Sequence, residues 1–302
     1  MNKIIPKDQI KHLMWSTEQE VPKTISDTNT PKKKTNQVTV LTNEILNGRE
    51  FYNNDEDGGK YIGVMKALEE GLNFVGTNGF IVTMPELIAT KVVASKTHDL
   101  WNKWYTAHTE ENIGIDRKGR FYGGNEPVLV VVNGGGLLTP ERIKKAYVDG
   151  LVGNSAKYTQ EEFDNLLEGV VANGDEIPLY KYEDVLENPA LPHRFGIVMK
   201  YSVAQSTFTD YFKEESFIEN PLVIARAGGS QYLKEYHSLA KYSDGEVRNS
   251  HIYNGRDPSE PSGRLLYLVS GDYGGLVGNY VLGNYGRFLG VAPEAPGGGE
   301  SL

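Results

Sequence analysis

FGIVMKYSVAQSTFTDYFKEESFIENPLVIARA, residues 195–227, decides the fold class. Phe195–Val203 is apolar and β-rich and predicts a strand, and Gln205–Phe217 predicts a helix. Pro221 then introduces Leu222–Ala227 (LVIARA) as a second strand. Beyond it, Gln231–Tyr242 predicts another helix and Leu265–Val269 (LLYLV) a third strand. Strand, helix, strand, helix, strand is the order of crossover-linked units. The expected class is therefore α/β, with a mixed or mostly parallel sheet and helical crossovers.

Working upstream, Val128–Val132 (VLVVV) is a continuous β-branched run, as expected of a strand buried on both faces. A glycine triplet follows, and Thr139 with Pro140 opens a helix as N-cap and first residue. Thr159 and Glu162 form a capping box for a further helix, with Asn173-Gly174 as its stop. Thr83 and Glu86 form another, opening a helical stretch in which Leu87, Ile88, Val92, Trp101, Trp104 and Tyr105 recur. Gly114–Tyr122 (GIDRKGRFY) predicts a tight hairpin. The boundaries that result are a polar basic arm at 1–38, a smaller α+β region at 39–125, an α/β core at 126–290 and a Pro/Gly tail at 291–302.

Composition narrows the chemistry. The 302 residues are 39% hydrophobic and 24% charged, a balance that folds, and they include no cysteine. Disulfides, thiolate metal sites and thiol nucleophiles are thereby excluded. No run approaches the roughly 20 apolar residues of a membrane span, and the N-terminus lacks the apolar stretch of a signal peptide, so a cytoplasmic location is expected. The net charge of −9 argues against broad nucleic-acid binding. Residues 1–38 depart from it, with seven lysines against four acids, and suit a solvated tail or an arm that docks on a neighbour.

The foremost candidate site is Asn133-Gly134-Gly135-Gly136, where a strand gives way to a helix and free amides suit a phosphate or carboxylate. Gly134, Gly136 and Thr139 give G-x-G-x-x-T, which lacks the third glycine of a dinucleotide fingerprint, and the cofactor stays unassigned. Gly228-Gly229-Ser230 is the second candidate, with Arg226 as a partner for an anion. Ser230 suits a helix N-cap or a nucleophile, though Tyr232 leaves the nucleophile elbow incomplete. Asp272 follows the strand Leu265–Val269, where parallel sheets place catalytic carboxylates. It opens Gly271–Gly290 (GDYGGLVGNYVLGNYGRFLG), in which Gly-Asp/Asn-Tyr occurs three times and suits an aromatic ligand rim or a subunit contact.

No metal site is expected. The six histidines lack paired spacing, and Asn53, Asp55, Asp57 and Gly58 begin a calcium-loop pattern that Val64 leaves unclosed. Three functions stay open. One is an α/β enzyme acting on a small anionic substrate at the glycine junctions. Another is a self-associating subunit of a large assembly with terminal arms. The third is a non-catalytic binding module.

Overall fold

The computed structural model describes residues 37–57, 60–152, 154–187, 190–206, 211–240, 247–249, 257–269, 275–278, 282 and 285–293. Residues 1–36 and 294–302 of the two expected arms therefore lie outside the described residues, as does Asp272.

The chain begins with helix α1 (Gln37–Leu46) and strands β1 (Arg49–Asn53), β2 (Glu56–Asp57) and β3 (Lys60–Tyr61). Helix α2 (Gly63–Val75), strand β4 (Phe80–Ile81) and helices α3 (Met84–Val93) and α4 (Asp99–Asn102) follow. Two long strands, β5 (Tyr105–Asp116) and β6 (Glu126–Asn133), form a hairpin. Its turn is set by Gly119 at φ +64° and Asn125 at φ +59°, whose amides both reach the Asp116 carbonyl. Next come α5 (Pro140–Asp149), β7 (Ala156–Lys157), α6 (Gln160–Leu166), β8 (Leu179–Lys181), α7 (Tyr182–Val185) and β9 (Phe195–Lys200). The remainder is α8 (Tyr201–Ser206), β10 (Tyr211–Phe212), α9 (Glu214–Glu219), α10 (Pro221–Ala227), α11 (Leu233–Ala240), β11 (Val247–Asn249), β12 (Ser262–Val269), β13 (Gly275–Val277) and β14 (Gly286–Val291).

Helices and strands are mixed, and so is the sheet. Among the described residues its order is β10-β11-β13-β12-β5-β6-β9-β8, with β7 also beside β12. The pairs β11–β13 and β8–β9 are parallel, and the others, including all at the centre, are antiparallel. The sheet expected as mixed or mostly parallel is thus mixed, and Val128–Val132 is buried on both faces although both of its neighbours run antiparallel to it. That burial has another cause. Leu129 and Val131 face a core built with α3, α10 and α11, while Val128, Val130 and Val132 face one built with α2, α5 and α6. Helices thus cover both faces of an antiparallel centre, and the apolar run no longer reports strand direction.

Leu222–Ala227, expected as a strand, is helix α10. Asn220 Oδ1 accepts the amides of Leu222 (3.0 Å) and Val223 (3.1 Å), Pro221 occupies the first turn, and Gly228 closes the helix at φ +71°. All six residues are buried, so the run has no polar face to show helical period. The helix expected over Gln205–Phe217 is divided among α8, β10 and α9, and the one opened by Thr83 ends at Val93, with Trp101 on α4 and Tyr105 opening β5. Helix α6 stops at Leu166, ahead of the Asn173-Gly174 turn. A three-stranded sheet, β1-β14-β4, closes the fold by pairing the last strand with the first. Among the described residues no helix is long and apolar enough to cross a membrane.

Candidate functional site

Strand β5 carries His108-Thr109-Glu110-Glu111-Asn112 through the middle of the sheet, and the last four are 0% exposed. Buried polar groups of this kind need partners. Alternation along the strand puts Glu110 and Asn112 on one face and Thr109 and Glu111 on the other.

Glu110 lies under the glycine triplet. Gly134 and Gly135 take φ of +81° and +87°, which turns the chain sharply after β6. The turn aims three successive amides at one carboxylate: Gly136 N and Leu138 N donate to Glu110 Oε1 (2.8 and 2.9 Å), and Leu137 N donates to Oε2 (2.9 Å). Of the expected ligand-binding residues Asn133–Gly136, only Gly136 donates here, and the group that the three amides hold is the chain's own Glu110 carboxyl. Burial pushes the Glu110 carboxyl above the usual range, while the three amides and Asn112 pull it back down. The glycines also make room. A Cβ at Gly135 would lie 2.8 Å from the His108 ring, and one at Gly134 would lie 2.6 Å from Arg194 Cγ. Burial lowers the His108 imidazole to about 3, helped by His193 and Arg194, so it is held neutral.

On the opposite face Thr109 Oγ1 accepts from Met84 N and donates to Asn133 Oδ1, both at 2.8 Å. Asn133 Nδ2 is buried with no partner among the described residues. Glu86, in the first turn of α3, accepts from Thr83 N (2.7 Å) and Thr83 Oγ1 (2.8 Å), and its other oxygen meets His193 Nδ1 at 2.6 Å. Gly228 packs against Pro85 and Phe195, so both glycine junctions approach the start of β9. The amides of Gly228 and Gly229 return to the carbonyls of Ala225 and Ile224 at the end of α10, and Ser230 is half-buried in the turn before α11. This second junction therefore follows a helix, where a strand was expected.

Arg226 is buried on α10, and its Nε donates to Glu111 Oε2 (2.9 Å) while Nη2 stands 2.7 Å from the same oxygen. Its Nη1 donates to the Leu276 carbonyl (3.2 Å), and Arg264 Nε lies 3.8 Å from Glu111 Oε1. Beside the glycine turn, a cleft of about 240 Å³ is lined by Leu137, Thr139, Arg142, Glu162 and Val171, and its Arg142 is bound to Glu162 at 2.7 Å. In the polar turn after β1, Asp55 pairs with Lys66 at 2.6 Å. Among the described residues no group of three or more histidines or acids is placed to hold a metal ion.

The sequence shows the glycine turn at Gly134 and Gly135, but neither the amides of Leu137 and Leu138 nor the Glu110 carboxyl they hold. The legible signal was HTEEN, four consecutive polar residues after His108's own position in a segment flanked by Tyr105 and Ile113. Glu86 was read only as a capping residue, and His193 had no assigned role.

The chain is similar to a solved structure described as the accommodation of massive sequence variation in Nanoarchaeota by the C-type lectin fold. The two are 26% identical, the match covers 80% of this chain and 96% of that one, and the TM-score is 0.58. No family model and no curated protein matches the chain.

Proposed function

We propose that this chain is a non-catalytic recognition protein, a rigid lectin-like frame whose contact residues belong to the segments that join β10 to β14. The observation that carries this reading is the internal use of the charged groups best suited to chemistry. Glu110 is taken up by three amides, Glu111 by Arg226 and Glu86 by His193. A catalytic carboxylate or an open anion cradle would keep such groups for a substrate. Here they tie helix to sheet.

The sequence supplies the other half of the argument. Residues 241–256 (KYSDGEVRNSHIYNGR) and 270–285 (SGDYGGLVGNYVLGNY) are rich in Tyr, Asn and Gly, and the first also carries Ser243, Ser250, Arg248 and Arg256. Protein-binding surfaces favour this mixture, because tyrosine gives large contact area at low entropic cost and Ser, Gly and Asn adapt their hydrogen bonding. The likeness to a fold described as accommodating massive sequence variation agrees with a frame that tolerates change in such segments. Recognition is favoured over the small-anion enzyme because the Gly136, Leu137 and Leu138 amides beyond the glycine turn already hold a carboxyl group.

The purified chain, screened against arrays of proteins and glycans, is expected to bind a macromolecular ligand. Joint replacement of Tyr253, Tyr273 and Tyr280 by Ser is expected to abolish that binding while thermal unfolding stays cooperative. Binding that survives the triple replacement, or turnover of a small phosphate or carboxylate compound, would overturn the reading. A very large native mass without ligand binding would favour the self-assembling subunit.

A further inference from the structure

Lys91, on the inner side of α3, is 0% exposed, an unusual place for a lysine. Its Nζ donates to the main-chain carbonyl of Val269 (3.0 Å), the last residue of β12. It also stands 5.1 Å from the centre of the Trp101 ring, and Lys96 covers the same ring at 3.3 Å. Among the described residues, Val269 O is its sole hydrogen-bond acceptor. An ammonium brings three N–H donors, so a site with one acceptor suits the neutral amine better.

The charges on the surrounding elements do not compensate. On α3 itself Glu86 is bound to Thr83 and His193. From β5, β12 and α10 the facing charges are Glu111, Arg264 and Arg226, grouped with one another. From α11 comes His237, which lies 4.0 Å from Glu214 of α9, and on α1 Glu44 is exposed. Near α4, Asp99 is paired with Lys103. Among the described residues the charge that acts on Lys91 is Lys96, of like sign. Burial, with Lys96 adding to it, lowers the Lys91 amine to about 7.

Val269 pairs with Gly275, Leu268 with Leu276 and Tyr267 with Val277, so Lys91 sits at the end of the β12–β13 ladder. Arg226 grips the same ladder at Leu276 O. We propose that Lys91 is a proton-controlled latch on the β12–β13 pair: the neutral amine seals the pair, and protonation loosens it. Resting on the recognition reading, this makes the proposed contact surface pH-dependent through the segment 270–285, which follows β12 directly in sequence and includes β13.

The test uses the full chain labelled with ¹⁵N-lysine, together with amide exchange at Leu268, Leu276 and Val277. The Lys91 Nζ is expected to titrate far below the other lysines. Opening of the β12–β13 pair, corrected for the intrinsic pH dependence of exchange, is expected to fall by up to about tenfold per pH unit above pH 7. Lys91→Met is expected to remove that dependence. Titration of Lys91 with the surface lysines, a flat opening profile in the wild type, or an unchanged profile in Lys91→Met would each overturn the latch. The Nζ titration needs no variant to fold. Because none of these readouts involves a ligand, the latch and the recognition reading can fail separately.

Discussion

Glu111 on β5 and Arg226 on α10 meet at 2.9 Å, 115 residues apart in sequence, with neither side chain exposed. Helix α10 therefore carries a cation into the sheet's interior, and the same guanidinium reaches on to β13 through Leu276 O. Charge burial of this kind is costly for each partner alone, and the two offset each other only as a pair.

Removing one partner exposes that cost. Arg226→Met is expected to destabilise the fold by about 3–5 kcal/mol, because the buried Glu111 loses its two closest guanidinium contacts and keeps the longer one to Arg264. Arg226→Lys is expected to recover little, since an ammonium cannot span Glu111 and Leu276 O together. Urea denaturation with the slope unchanged measures both. A loss below about 1 kcal/mol for Arg226→Met would mean that the pair is not a main tie between helix and sheet.

The glycine cradle gives a second prediction. Glu110→Ala strips the acceptor from three buried amides, each worth about 1–3 kcal/mol when orphaned, so a loss of at least about 3 kcal/mol is expected. Gly135→Val is also expected to destabilise, because a valine would need φ near +87° and would press on His108. Thermal melts of the two variants check this. Wild-type stability in both would mean that the turn reshapes freely.

The helices near Thr139 and Thr159 were legible because caps are local devices that announce themselves in a few residues, whereas the tight hairpin expected at Gly114–Tyr122 is a wider loop over 117–125 between Asp116 and Glu126. The strand at Val128–Val132 was legible as well. Its partners were not, since a run buried on both faces looks the same in parallel and antiparallel surroundings. Leu222–Ala227 misled for a related reason. A helix buried all round has no period, and the cue that outweighed its β-branched residues was Asn220-Pro221, an N-cap and first turn read as a simple break. At the candidate site, glycine geometry was readable and the filling of the cradle was not. Glu110 lies 26 to 28 residues from the amides it accepts, and no local pattern encodes that meeting.

Glu86 offers a graded test of a side chain with two duties. Its Oε2 closes the start of α3 on Thr83 and its Oε1 holds His193. Thr83→Val is expected to cost about 1 kcal/mol, the usual worth of a cap. Glu86→Ala is expected to cost about 1–3 kcal/mol more, because the buried imidazole also loses its partner. Comparing denaturation midpoints of the two variants decides it, and equal losses would reduce Glu86 to a capping residue.

Lys91 is expected to add its own pH-dependent contribution to the stability of the fold. An unfolded lysine holds its proton to about pH 10.4, whereas the buried amine releases it at about 7. Between these values the unfolded chain binds the extra proton, so stability rises with pH by up to about 1.4 kcal/mol per unit. Below about pH 7 both states are protonated, the term is flat, and the fold carries the full penalty of a buried cation. The sign is thus opposite to that of a lysine stabilised by an ion pair. Lys91→Met is expected to be more stable than the wild type at pH 6 and to differ least near pH 10. Denaturation curves at pH 6, 7, 8 and 9 measure the slope, and parallel profiles for variant and wild type would show that Lys91 keeps an ordinary proton affinity in the folded chain.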